Sequence, residues 1–175
     1  SSLASDTGVS HRTIESWISV LEASYLIFRL QPYFQNFGKR VIKSPKLYFY
    51  DTGLLCYLLG INSPEDLSNH FAVGHIFENM VIANTLKEIF HSRSSDKLYF
   101  FRDNSGLEVD LIIDQNSIQT GVEIKSGKTY FPAMLSNLKS WQTINPQADK
   151  TGFLVYNGKI EQKIGNNQIK NWKSF

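Results

Sequence analysis

The chain has 175 residues, 18 basic and 16 acidic, for a formal net charge of +2. Its 42% hydrophobic and 13% aromatic residues can bury a sizeable core, which excludes wholesale disorder. The near-neutral balance does not mark a nucleic-acid binder by charge alone. No apolar run is long enough to span a bilayer, and no stretch reads as a signal peptide. One cysteine, Cys56, can form no internal disulfide, and its leucine neighbours suggest a buried thiol. A cytoplasmic protein without membrane contact is the expectation.

Chain order suggests two modules, residues 1–60 and 61–175. A short helix precedes Gly8, and Ser10 suits the N-cap of the next helix. That second helix carries Ile14, Trp17, Ile18 and Leu21 at helical spacing. Residues 25–33 and 41–50 read as the strands of a hairpin, the second interrupted by Pro45. Lys39, Arg40, Lys43 and Lys46 make that hairpin basic. Asp51 caps a short apolar helix ending at Gly60. Two helices and a basic hairpin suggest a winged helix whose usual first helix would precede Ser1. The start at Ser1, without Met, suggests a piece of a longer protein.

The second module opens with Ser63-Pro64-Glu65-Asp66, a strong helix start. A long helix follows over 71–91, with Ile76, Phe77, Met80, Ala83, Leu86, Ile89 and Phe90 apolar. Strands are expected at 97–102, 107–114 and 117–126, with tight turns at 104–106 and 115–116. A helix after Pro132 runs to about 144 with Trp141 inward, then a strand covers 152–156. The fold class is α/β, a mixed sheet between helices.

Chemistry concentrates in the meander. Asp110 lies within the apolar stretch Leu107-Glu108-Val109-Asp110-Leu111, and Glu123 and Lys125 share one strand face within Val122-Glu123-Ile124-Lys125. Pairing across the 114–117 turn brings Asp110 near Glu123 or Lys125, depending on register. Burying these charges costs several kcal/mol per ion unless they are paired or bind metal, on the order of other desolvation penalties. Mg²⁺ or Mn²⁺ would relieve the carboxylate repulsion, and a metal-held water near Lys125 suits phosphodiester hydrolysis.

Asp110 followed by Glu123-Ile124-Lys125 resembles the PD-(D/E)XK nuclease signature, with Val109 in place of its usual proline. Glu78, in Gly74-His-Ile-Phe-Glu-Asn79, resembles that fold's extra helix carboxylate. A longer series is similar in order and spacing to a specific family: Lys43-Ser-Pro-Lys-Leu-Tyr-Phe-Tyr-Asp-Thr-Gly-Leu54, Gly74–Asn79, Phe101-Arg102, Gly106–Asp110 and Glu123–Ser126. That family is the C-terminal region of bacterial and archaeal AAA+ ATPases called domain of unknown function 4143. The resemblance implies a restriction-endonuclease-like α/β/α domain after a partial winged helix. It implies catalytic roles for Asp110, Glu123, Lys125 and Glu78, with Asp110, Glu123 and Glu78 as metal ligands. It also implies a preceding ATPase domain as partner in the same chain. ATP would bind only there, since this sequence has no P-loop motif.

Alternatives remain open. Asp110 could be a strand carboxylate paired with Arg102 or Lys125. Glu108 could support the site or pair with Arg102, and His75 reads as a surface histidine. Tyr48, Phe49 and Tyr50 read as a strand packed between modules. Three functions compete: a nuclease-like piece of an ATPase, a non-catalytic docking module, and a winged-helix regulator. As a nucleic-acid partner DNA is expected more than RNA, and the regulator would bind DNA through Arg12, Lys39, Arg40 and Lys43.

Overall fold

The computed structural model describes residues 2–34 and 42–175; Lys39 and Arg40 lie outside them. The chain begins with α1 (Ser2–Thr7) and α2 (His11–Ala23), then β1 (Ile27–Pro32) and β2 (Lys46–Phe49). Next come α3 (Thr52–Leu58), α4 (Pro64–Asn69) and the long α5 (Val73–Ser92). The meander is β3 (Lys97–Arg102), β4 (Glu108–Gln115) and β5 (Ile118–Lys125). A 3-10 turn over Pro132–Leu135 leads into α6 (Ser136–Ile144), followed by β6 (Phe153–Tyr156), β7 (Gln162–Ile164) and β8 (Asn167–Asn171).

Local chemistry sets these boundaries. The side chains of Ser10, Asp51 and Ser63 accept hydrogen bonds from the Thr13, Leu54 and Asp66 amides, capping α2, α3 and α4. Asn116 and Ser117 both take left-handed φ, at 52° and 68°, the geometry of a type I′ hairpin turn between β4 and β5. Buried Asp103 shapes the β3–β4 loop by accepting from the amides of Ser105 and Leu107.

The eight strands of the described residues form one mixed sheet, ordered β2-β1-β3-β4-β5-β6-β8-β7. It crosses the region near residue 60. β1 pairs antiparallel with β2 and parallel with β3, through Gln31↔Tyr99 and Pro32↔Phe100. The basic hairpin thus supplies the strands at one edge of the sheet.

Each face of the sheet carries its own core. On one side Val81, Ile82 and Ala83 of α5 pack with Phe100, Leu111, Val122 and Ile124. On the other, Leu138 and Trp141 of α6 pack with Val109, Ile112, Leu154 and Ile169. The α6 side also encloses neutral amides. Asn145 Nδ2 donates to Gln119 Oε1 at 2.8 Å, and Gln119 Nε2 to Gln147 Oε1 at 3.1 Å. Gln142 Nε2 donates to Asn167 Oδ1 at 2.9 Å and to the Lys150 carbonyl at 3.1 Å.

Several side chains depart from the inward positions that periodicity suggests. Trp17 is 54% exposed and Leu21 is also exposed, because among the described residues nothing covers that face of α2 beyond Ile18. Phe90 is exposed near the end of α5, where the helix runs past the sheet-covering segment. Cys56 is half-buried rather than buried, on an α3 that has no buried residue.

Candidate functional site

The site begins with an irregularity in β4. Tyr99 pairs with Ile112 and Phe101 with Val109, so Asp110 and Leu111 together stand opposite Phe100. This β-bulge changes the alternation and re-aims side chains. Leu111 enters the α5-side core, and Asp110 is freed to point toward the sheet end.

The β4–β5 ladder runs from Gln115↔Ile118 to Leu111↔Val122 and stops. Past that point the Ile124 amide donates to Asp110 Oδ2 at 2.8 Å, so a side chain replaces a backbone acceptor. Gly121 lies against Leu138 and Trp141 of α6, which places Glu123, two residues on, on the same face. Asp110 and Glu123 thus meet where the strands part.

Lys125 bridges the pair. Its Nζ lies 3.2 Å from Asp110 Oδ2 and 2.8 Å from Glu123 Oε2. Glu123 is 2% exposed, and its other oxygen, Oε1, is buried with no hydrogen-bond partner. Burial, with Asp110 adding repulsion, pushes the Glu123 carboxyl up to about 8. Burial also raises Asp110, against the pull of Lys125. For Lys125 burial favours loss of the proton, but the two carboxylates more than offset it, and its pKa rises.

These groups open into a cleft of about 810 Å³ that also contains Glu78, Glu108, Lys46 and Tyr48. Lys46 Nζ lies 3.0 Å from Glu78 Oε1 and 2.6 Å from Glu108 Oε1. The Tyr48 hydroxyl also donates to Glu78 Oε1. Arg102 Nε reaches Glu108 Oε2 at 3.4 Å.

The structure therefore brings Asp110, Glu123 and Lys125 together and sets Glu78 in the same cleft, held by Lys46 and Tyr48. Among the described residues no group of three or more His, Cys, Asp or Glu side chains is arranged to hold a metal ion. Two carboxylates with an unpartnered buried oxygen still suit Mg²⁺ or Mn²⁺. Mg²⁺ commonly takes one or two carboxylates and completes its octahedron with water. His75 is a surface residue, its side chain 88% exposed. Arg12 and Lys43 are exposed, on α2 and just before β2, and Lys39 and Arg40 lie outside the described residues.

Sequence reasoning missed Lys46, Tyr48 and Asn79 as parts of the site. The signal was the alternation Lys46-Leu-Tyr48, which puts both polar tips on one face of β2. It was masked by reading Lys46 as one more basic residue of the hairpin.

Residues 73–175 match the family described as Domain of unknown function (DUF4143), and residues 1–65 match Domain of unknown function (DUF8612). The cleft draws Lys46 and Tyr48 from the first segment and its acidic residues from the second. Two mycobacterial proteins, Uncharacterized protein Mb2031c of Mycobacterium bovis and Uncharacterized protein Rv2008c of Mycobacterium tuberculosis, are each 31% identical over 138 residues. The match covers 79% of this chain, and the chain spans about 30% of the length of these curated relatives. No solved structure matches the chain.

Proposed function

The chain belongs to the DUF4143 family, and from that premise we propose that its cleft is a Mg²⁺- or Mn²⁺-assisted phosphodiester-hydrolysing site of the PD-(D/E)XK kind. The observation that carries this reading is the buried Asp110–Glu123 pair with an unpartnered oxygen on Glu123. In this reading the chain is the C-terminal part of a AAA+ ATPase, and α1, α2 and the β1–β2 hairpin belong to a winged helix that contacts DNA through Arg12, Lys39, Arg40 and Lys43. ATP would be used only by the preceding domain.

Asp110 and Glu123 would hold the ion, with Glu78 supporting it from α5. The ion would supply an activated water and stabilise negative charge on the phosphoryl oxygens. Lys125, kept as an ammonium by the two carboxylates, is a donor and charge stabiliser rather than a base. Arg102, on the rim, is available to a phosphate backbone.

The test is calorimetric titration of Mn²⁺ and Mg²⁺ into the wild type, Asp110→Ala and Glu123→Ala. Binding of about one or two ions, lost in both variants, is expected; cleavage assays on DNA and RNA then define the substrate. No binding at millimolar metal by a folded chain would sink this reading. The chain would then be a docking module, a role favoured by the exposed Trp17, Val20 and Tyr25 at α2.

A further inference from the structure

Lys46 and Tyr48 come from the run Lys43–Asp51, which the proposed chemistry does not use. Both project from the same face of β2 onto one carboxylate oxygen, Glu78 Oε1. The Tyr48 ring is buried and stacked on Phe28 with centroids 5.7 Å apart, so the hydroxyl is aimed by packing. The next residue of α5 secures the same contact. Buried Asn79 accepts from the Phe49 amide at 2.7 Å and donates to the Phe49 carbonyl at 3.0 Å. It clamps the outer edge of β2 to α5. Glu78 Oε2 has no hydrogen bond among the described residues, and His75 Nδ1 lies 3.8 Å from it.

We infer that Lys46 and Tyr48 are positioning residues, which anchor Glu78 by one oxygen so that the other is left to the cleft that Asp110 and Glu123 also line. The inference rests on the cation-assisted reading of that cleft. It makes the site composite, with the anchor supplied by the segment matching DUF8612 and the reactive groups by the segment matching DUF4143. Exposure agrees with this role, since Lys46 and Glu78 are both largely enclosed.

Tyr48→Phe tests the inference without changing charge or ring packing. Calorimetry with Mn²⁺ on the 175-residue chain should show affinity about tenfold weaker than wild type, the usual order for loss of a group that orients a ligand. Far-UV circular dichroism and melting curves establish that the variant is folded. In a Glu78→Gln background the same tyrosine change should cost nothing further, because the oxygen it positions is gone. A merely structural tyrosine would cost the same in both backgrounds. Tyr48→Phe that binds Mn²⁺ like wild type, or loses affinity equally with and without Glu78, would overturn the inference while leaving the cation site standing. A wild type that binds no Mn²⁺ would remove the site reading and this inference with it.

Discussion

Two buried polar regions of this molecule are built on opposite principles. Between α6 and the sheet, Gln119, Gln142, Asn145 and Asn167 are neutral amides that meet donor to acceptor. At the sheet end, Asp110, Glu123 and Lys125 are ionisable groups, and Glu123 Oε1 is left without a partner. A satisfied neutral network stabilises a fold and fixes its geometry. An enclosed carboxylate pair with an unused oxygen costs free energy, which a fold tolerates where a ligand completes the site. The contrast separates the polar groups that satisfy one another from those that leave an oxygen unpartnered.

Breaking the amide network has the larger expected effect on stability. Gln142→Leu strands the Asn167 amide and two backbone carbonyls. It should cost about 2–3 kcal/mol, read from the urea midpoint. Glu123→Gln in the cleft should cost less stability at pH 8 than Gln142→Leu, because it relieves the Asp110–Glu123 repulsion while Lys125 keeps Asp110 as its partner. A loss comparable to that of Gln142→Leu would erase the distinction between the two regions.

The pH dependence sharpens the contrast further. The Glu123 carboxyl is raised to about 8 in the fold. Between the ordinary carboxylate range and pH 8, the folded chain keeps a proton that the unfolded chain has lost. The unfolded state binds fewer protons there, so stability falls as pH rises through that window. Melting temperatures at pH 5, 6.5 and 8 should decline in the wild type and decline less in Glu123→Gln. Parallel declines would assign the pH dependence elsewhere. The smallest effect belongs to Arg102→Ala. Its side chain is 50% exposed and its pairing with Glu108 spans 3.4 Å. A change within about 0.5 kcal/mol is expected from chemical denaturation.

Much of this was legible in the sequence because it is local. Ser10, Asp51 and Ser63 announce the helix starts that they cap. The β3–β5 meander follows from alternation and turn residues, and Asp110, Glu123 and Lys125 meet because strands joined by a two-residue turn must pair. The register alone did not bring Asp110 and Glu123 into contact. That took a bulge opposite Phe100 and a ladder that ends at Leu111, neither of which has a composition signal. The joining of β1 to β3 was equally hidden, since parallel pairing between distant segments leaves no local trace. Lys46 and Tyr48 stayed unassigned for the same reason: their partner, Glu78, lies on a helix that follows two others in the chain.

The parallel pairing of Gln31 with Tyr99 and Pro32 with Phe100 sets an order of events in time. β1 and β2 can zip together as soon as both have been synthesised, but the hairpin cannot join the main sheet until β3 exists. Closing so long a loop is entropically costly and slow relative to hairpin formation. On the ribosome, the inner edge of β1 must therefore wait, unpaired, while α3, α4 and α5 emerge. A nascent chain stalled before Lys97 would present that edge, with Phe28 and Leu30, to any passing strand. The same delay keeps Lys46 and Tyr48 from being set against Asp110, Glu123 and Lys125 until β5 has been made.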